Sequence, residues 1–247
     1  MESERRTALV VGVLFILTFI TSIGALPLYG PVLGDSTFVL GGGSDWSVSL
    51  GALLEVALIV TNIGTAVVLF PLLRRTSEGG ALAYVTARVV ESSIIAVGIV
   101  SLVGVMMLRR EGVLDDGTDA ASLVAVAKGL VSVHDATFLL GPAFMAPLGN
   151  GLILGWLMLR ARLLPGRIAL LGLVGGAFGL ASATAVLFGV YPQMSAPSFL
   201  ATLPEILWEG FLGIWLTVRG FRRLSVQSNV TAEAVGEVRA REVRAIA

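Results

Sequence analysis

Six apolar runs dominate this chain and leave it few ways to fold. They cover about residues 7–29, 48–73, 81–108, 136–159, 168–190 and 203–221. A bilayer core about 30 Å thick takes about 20 helical residues to cross, and each run is near or above that length. Only 14% of the 247 residues are charged, against about 25% in soluble domains. The runs therefore predict an all-α integral membrane bundle of six transmembrane helices. It forms one domain over residues 1–223, followed by a polar tail at 224–247 with a helix expected from Thr231 to Ala247. The first run, Thr7 to Tyr29, is too long for the apolar core of a signal peptide and reads as a true span.

Breaks between the runs carry the usual punctuation. Pro27 and Gly30-Pro31 close the first span, and Arg74-Arg75 and Arg109-Arg110 close the second and third. Gly141-Pro142, Pro147 and Gly149-Asn150-Gly151 interrupt the fourth, which predicts a kinked or broken helix. Residues 120–133 are weakly amphipathic and either lie at the interface or extend that span.

Basic residues beside the span ends set the expected orientation. With both termini cytoplasmic, the inner side holds Arg5, Arg6, Arg74, Arg75, Arg160, Arg162, Arg167, Arg219, Arg222 and Arg223. The outer side holds Arg109, Arg110 and Lys128. Ten against three favours a cell-membrane protein with this topology; the outward Arg109-Arg110 pair is its weak point. Trp46, Tyr191, Trp208 and Trp215 fall near expected ends or lipid faces and read as aromatic-belt anchors.

Against this background the polar residues inside the spans stand out. Ionisable groups in hydrocarbon are costly and usually face a partner or a wet cavity. Arg88 and Glu91 lie three apart in the third span, so they can pair on one helix. Glu55 and Asn62 share a face of the second span. Thr202-Leu-Pro-Glu205 reads as a capping box that starts the sixth span, which makes Glu205 a cap and puts Glu209 one turn deeper, level with Glu55. These depths predict one cluster of Glu55, Glu209 and Glu91 with Arg88 and Asn62 beneath it. Three carboxylates then face one guanidinium, and the excess charge calls for a proton or a bound cation.

His134 is the sole histidine, and it adjoins Asp135. A water-activating metal site usually draws on two or three histidines, so His134 and Asp135 are thin grounds for one, and His134 is expected at the outer interface. There is no Gly-x-Ser-x-Gly, no phosphate-binding glycine loop and no His-Glu-x-x-His. No cofactor is expected. With zero formal net charge and no long basic run, the chain is no nucleic-acid binder. It also has no cysteine for disulfide or thiolate chemistry. Gly172, Gly176, Gly179 and Ala183 in the fifth span, with Gly151 and Gly155 in the fourth, can serve close packing within the chain or a seam in a homo-oligomer. Packing within the chain is the commoner use.

Several stretches together resemble a known family. They are Leu69-Phe-Pro-Leu-Leu-Arg-Arg75, Tyr84 with Arg88-Val-Val-Glu91, and Leu159-Arg-Ala-Arg-Leu-Leu-Pro165 with Ala169-Leu-Leu-Gly-Leu-Val-Gly-Gly176. Pro204 to Glu209 and Leu212-Gly-Ile-Trp-Leu-Thr-Val-Arg-Gly-Phe221 complete the set. The chain resembles the prokaryotic membrane-protein family called domain of unknown function four-three-eight-six, over about residues 7–223. Members usually have Ala where this chain has Ser92, and often Arg-Trp where it has Gly166-Arg167. The resemblance implies a six-span fold and no particular activity.

The residues themselves leave three readings. The first is a carrier or binding protein linked to a small ligand, a proton or a cation, with its site at Arg88, Glu91, Glu55, Glu209 and Asn62. The second is a non-catalytic membrane scaffold or subunit. The third is a metal-dependent membrane hydrolase using His134. The lipid bilayer is the one partner common to all three.

Overall fold

The computed structural model describes residues 2–35, 37–41, 44–112 and 119–222. The tail at 224–247, with its expected helix, lies outside them. Helix α1 is Glu2–Leu28, and a short α2, Gly30–Gly34, follows. Helices α3, Asp45–Leu73, and α4, Glu78–Gly112, form the second and third spans. The fourth span is continuous from Ala120 to Arg160. It consists of α5, Ala120–Phe138, a π-helical turn at Leu139–Ala143, α6 at Phe144–Ala146, a second π segment at Pro147–Leu154, and α7, Gly155–Arg160. Helices α8, Gly166–Leu187, and α9, Ala196–Val218, complete the set. Six helices are thus long and apolar enough to cross a membrane. Among the described residues there are no strands.

The spans form a closed ring. Each packs on its neighbour in sequence, and α9 returns to pack on α1. Closure depends on Gly12, where an added Cβ would come within 2.4–2.8 Å of Thr217 Oγ1, Thr217 N and Gly213 O. It is fastened at the end where the chain starts. The Arg5 guanidinium donates to the carbonyls of Leu216 at 3.1 Å, Thr217 at 2.9 Å and Val218 at 3.2 Å. These are last-turn carbonyls that the helix itself leaves unpaired, and a cation suits them. At this terminal end, a core of Ala8, Val11, Phe15, Leu69, Leu73, Leu157, Trp208 and Leu216 joins the spans. At the far end Ala25, Tyr29, Phe38, Val48, Leu102 and Ala127 form a second core.

The far end also gives Arg109 and Arg110 a partner. Helix α4 has 35 residues, roughly 50 Å, and so overshoots the hydrocarbon. Its last turn meets the loop between α2 and α3. Arg109 and Arg110 reach the two carboxylate oxygens of Asp45 at 2.8 and 2.9 Å. Arg109 also donates to Gly41 O at 3.2 Å and stacks over Phe38. Their charge is thus partly answered by Asp45 on the same side.

Of the two alternatives for residues 120–133, the second holds: they are the first turns of the fourth span, started by Asp119. Its side chain accepts from Ala121 N and Ser122 N as an N-cap. The sixth helix begins at Ala196, seven residues before the expected start at 203, with Ser195 as N-cap and Pro197 in its first turn. Thr202 is no cap, because its hydroxyl donates back to Ser198 O inside the helix at 2.8 Å. Pro204 sits within the helix and does not open it.

Candidate functional site

The π segments of the fourth span set up the site. A π-turn widens the helix and often accompanies a local function. Pro142 and Pro147 have no amide proton to give, which favours leaving the α-helical ladder at these points. Beyond Pro147 the wide turns turn Gly149, Asn150 and Gly151 toward the bundle interior, where all three are buried. Gly151 lets the backbone of α8 approach; an added Cβ would lie 2.5 Å from Gly176 Cα. At Gly176 it would lie 2.7 Å from both Leu152 N and Pro147 O, and at Gly179 2.7 Å from Pro147 Cγ. These glycines therefore serve packing within the chain.

Asn150 joins three helices. Its Oδ1 accepts from Tyr84 Oη of α4 at 3.1 Å. Its Nδ2 donates to Glu209 Oε1 of α9 at 2.5 Å. Its backbone carbonyl accepts from Trp208 Nε1 at 2.9 Å. One turn along α4 from Tyr84, Arg88 is 1% exposed. Arg88 Nη1 donates to Glu91 Oε2 at 2.5 Å, and Arg88 Nη2 donates to Asn62 Oδ1. Asn62 Nδ2 donates to Glu91 Oε1 at 3.3 Å, closing a triangle. Thr65 steadies Asn62 by donating to its backbone carbonyl at 2.7 Å.

Glu205 lies on the same face of α9 as Glu209, one turn earlier. It is 3% exposed, and neither of its carboxylate oxygens has a hydrogen-bond partner. Its Oε2 fills the space that side chains on Gly151 and Gly175 would occupy, 2.6 and 2.8 Å from their would-be Cβ atoms. Arg88 interacts electrostatically with Glu91, Glu209 and Glu205. If all four groups were ionised, one positive charge would face three negative ones.

Glu55 is not part of this cluster. Its Oε2 accepts from Tyr29 Oη at 2.8 Å, and it lines a small cavity with Ile95, Gly98, His134, Thr137, Phe138 and Pro142. His134 is buried in the same place, edge-on to Tyr29 with ring centroids 5.6 Å apart. It is enclosed by the bundle and not exposed on its surface. Asp135 is 3.7 Å from His134 Nδ1, with a side chain 65% exposed. Among the described residues, no three His, Asp or Glu come together to hold a metal ion, so His134 and Asp135 lack the carboxylate company a hydrolytic metal would need.

A family match accords with the architecture: the family described as domain of unknown function (DUF4386) matches residues 10–220. The chain belongs to this family. No curated protein matches it, and no solved structure matches it. The DUF4386 match spans every polar residue of both clusters.

In this DUF4386 chain, sequence reasoning correctly put Arg88 level with Asn62 and paired it with Glu91. It misplaced two glutamates for one reason. Because α9 starts at Ala196, Glu205 is about 14 Å and Glu209 about 20 Å into the helix, not at its mouth. Glu209 therefore meets Tyr84 and Asn150 on the terminal side of Arg88 and is remote from the level of Glu55. Trp208 is a further correction. It is fully buried against Gly172 and bonded to Asn150, so it is no belt anchor, whereas Trp46 is 73% exposed. Sequence reasoning missed Tyr84, Asn150 and Glu205. The start signal Ser195-Ala196-Pro197 would have exposed the last of these.

Proposed function

We propose that this protein is a proton-linked carrier or binding protein of the cell membrane, with its site in the cluster of Arg88, Glu91, Asn62, Tyr84, Asn150, Glu205 and Glu209. The observation that carries this reading is Glu205, a carboxyl buried among helices with both oxygens unpartnered, beside Glu209, Glu91 and a single arginine. Such an excess of acid in low dielectric needs a counter-ion or a proton. The carboxylates do not converge as a metal-binding trio, so a proton suits the site better than a multidentate cation. Proton uptake at Glu205 would remove one negative charge next to Glu209 and Arg88. It would thereby alter the pull on Asn150, which ties three spans together.

One observation supports a second reading, the scaffold: Arg88, Glu91 and Asn62 satisfy one another and need no ligand. The two readings part at Glu205, which the triangle does not include. Both take the terminal end as cytoplasmic, following the arginine count, with Arg109 and Arg110 held outside by Asp45.

The test is infrared difference spectroscopy of the purified protein between high and low pH. The expected result is a carboxylic-acid C=O band that titrates while the bundle stays folded and that disappears in Glu205→Gln. A spectrum identical in wild type and Glu205→Gln would sink the proton-linked reading and leave the scaffold.

A further inference from the structure

The cavity beside Glu55 lies apart from the central cluster. Its lining residue Ile95 is one turn from Glu91 on α4, toward the far end, and its volume of about 10 Å³ is just enough to admit one water. Two glycines build it. An added Cβ on Gly51, one turn before Glu55, would lie 2.8 Å from Tyr29 Cε1, so only a bare backbone lets the Tyr29 ring lie across α3 and reach the carboxylate. At Gly98 an added Cβ would lie 2.5 Å from Thr137 Oγ1 and 3.4 Å from His134 Cδ2, so Gly98 lets α5 bring His134 to the same spot.

The polar groups there are incompletely satisfied. His134 Nδ1 is buried without a hydrogen bond, and Asp135, at 3.7 Å, is too far to supply one. Glu55 has a single side-chain partner, Tyr29. Thr137 spends its proton on His134 O at 2.7 Å and keeps acceptor capacity. A carboxylate, an imidazole and a hydroxyl around a water-sized hole is the arrangement that retains an ordered water.

We propose that Glu55, Tyr29 and His134 form a second ionisable site, which seats one water and exchanges protons through it. A proton arriving as hydronium passes to the Glu55 carboxylate or the His134 imidazole and leaves a neutral water behind. Tyr29 holds Glu55 toward the water by donating to its other side. The groups facing His134 are Glu55 from α3, Tyr29 beyond α1, and Asp135 on its own helix, while the α4 wall contributes only Ile95 and Gly98. This site is independent of the role proposed for Glu205.

The chain has one histidine, so selective ¹⁵N-histidine labelling gives the two ring-nitrogen signals of a single imidazole, provided the protein is purified through a tag without histidine. Two groups that interact through a shared water titrate as a pair. The imidazole is expected to report two steps with pH in wild type and one in Glu55→Gln, with Asp135→Asn unchanged from wild type. Tyr29→Phe keeps the ring and removes the bond to Glu55. It should displace one of the two steps, and it serves as the second test if Glu55→Gln folds poorly. A single step unaffected by Glu55→Gln or Tyr29→Phe, an imidazole that does not titrate, or a second step lost only in Asp135→Asn would each overturn the proposal.

Discussion

Arg88 and Glu91 offer the sharpest test of how charge is held in this bundle. Replacing Arg88 with Met removes the guanidinium and leaves Glu91, 4% exposed, with only Asn62 Nδ2 at 3.3 Å. Breaking a buried ion pair from one side costs about 3–5 kcal/mol. Glu91→Leu leaves Arg88 with Asn62 and the more distant pull of Glu209 and Glu205, so its cost falls toward 3 kcal/mol, the lower end of about 3–5 kcal/mol. Removing both partners unpairs the Asn62 amide, at about 1–3 kcal/mol, and takes the cation from Glu205 and Glu209, a loss that the Arg88 single variant shares. The single costs sum to about 6–8 kcal/mol, so the double variant should fall at least about 3 kcal/mol below additivity. Typical polar contacts between membrane helices average about 0.6 kcal/mol, so a coupling this large is readily separated from ordinary helix contacts. The assay is reversible unfolding of all four proteins in mixed micelles with increasing dodecyl sulfate, followed by tryptophan fluorescence. Additive single costs of about 1 kcal/mol or less each would refute the reasoning and mean that water reaches the pair.

Gly176→Ala and Gly129→Ala should act in opposite directions. The first puts a Cβ 2.7 Å from the backbone atoms Leu152 N and Pro147 O, which cannot swing aside, and should cost about 1–3 kcal/mol or more in the same unfolding assay. The second meets nothing within 4 Å on an exposed helical position and should stabilise by about 0.5–1 kcal/mol. Asp119 governs the start of the fourth span. Its hydrogen bonds to Ser122 and Ala121 hold its carboxyl below the usual carboxylate range. A lowered folded value means its contribution is present above the ordinary carboxylate pKa and is lost as pH falls through the folded one. Protection of the Ala121 and Ser122 amides, taken against the intrinsic exchange rate at each pH, should therefore fall at low pH, and should be weak at all pH values in Asp119→Ala.

The spans themselves were legible because an apolar run of this length has no other stable use in a chain so poor in charge. The third span gave the most, since Arg88 and Glu91 lie on one helix and their pairing needs only local geometry. Placement between helices was harder to read. Thr202 and Glu205 imitate a capping box and Pro204 imitates a helix start, so local chemistry pointed to the wrong residue. Every depth on α9 moved by two turns as a result. Glu55 shows a different limit. It shares a face of α3 with Asn62, yet Tyr29, which Gly51 admits across α3, takes it into a separate site. Asn150 looked like part of a break in the fourth span. Its role depends on π-helical winding, which brings it among Tyr84, Glu209 and Trp208.

The Arg5 clasp on the last helix also sets the order in which the protein is made. The residues it joins are 211 to 213 positions apart. At synthesis rates of roughly 5–20 residues per second, α1 waits about 10–40 s in the membrane before α9 exists. For that interval the bare backbone at Gly12 faces lipid or an insertion factor, with no Thr217 to cover it. Ring closure thus cannot precede the synthesis of α9, and a chain truncated before α9 leaves the ribosome with an open seam along its first helix.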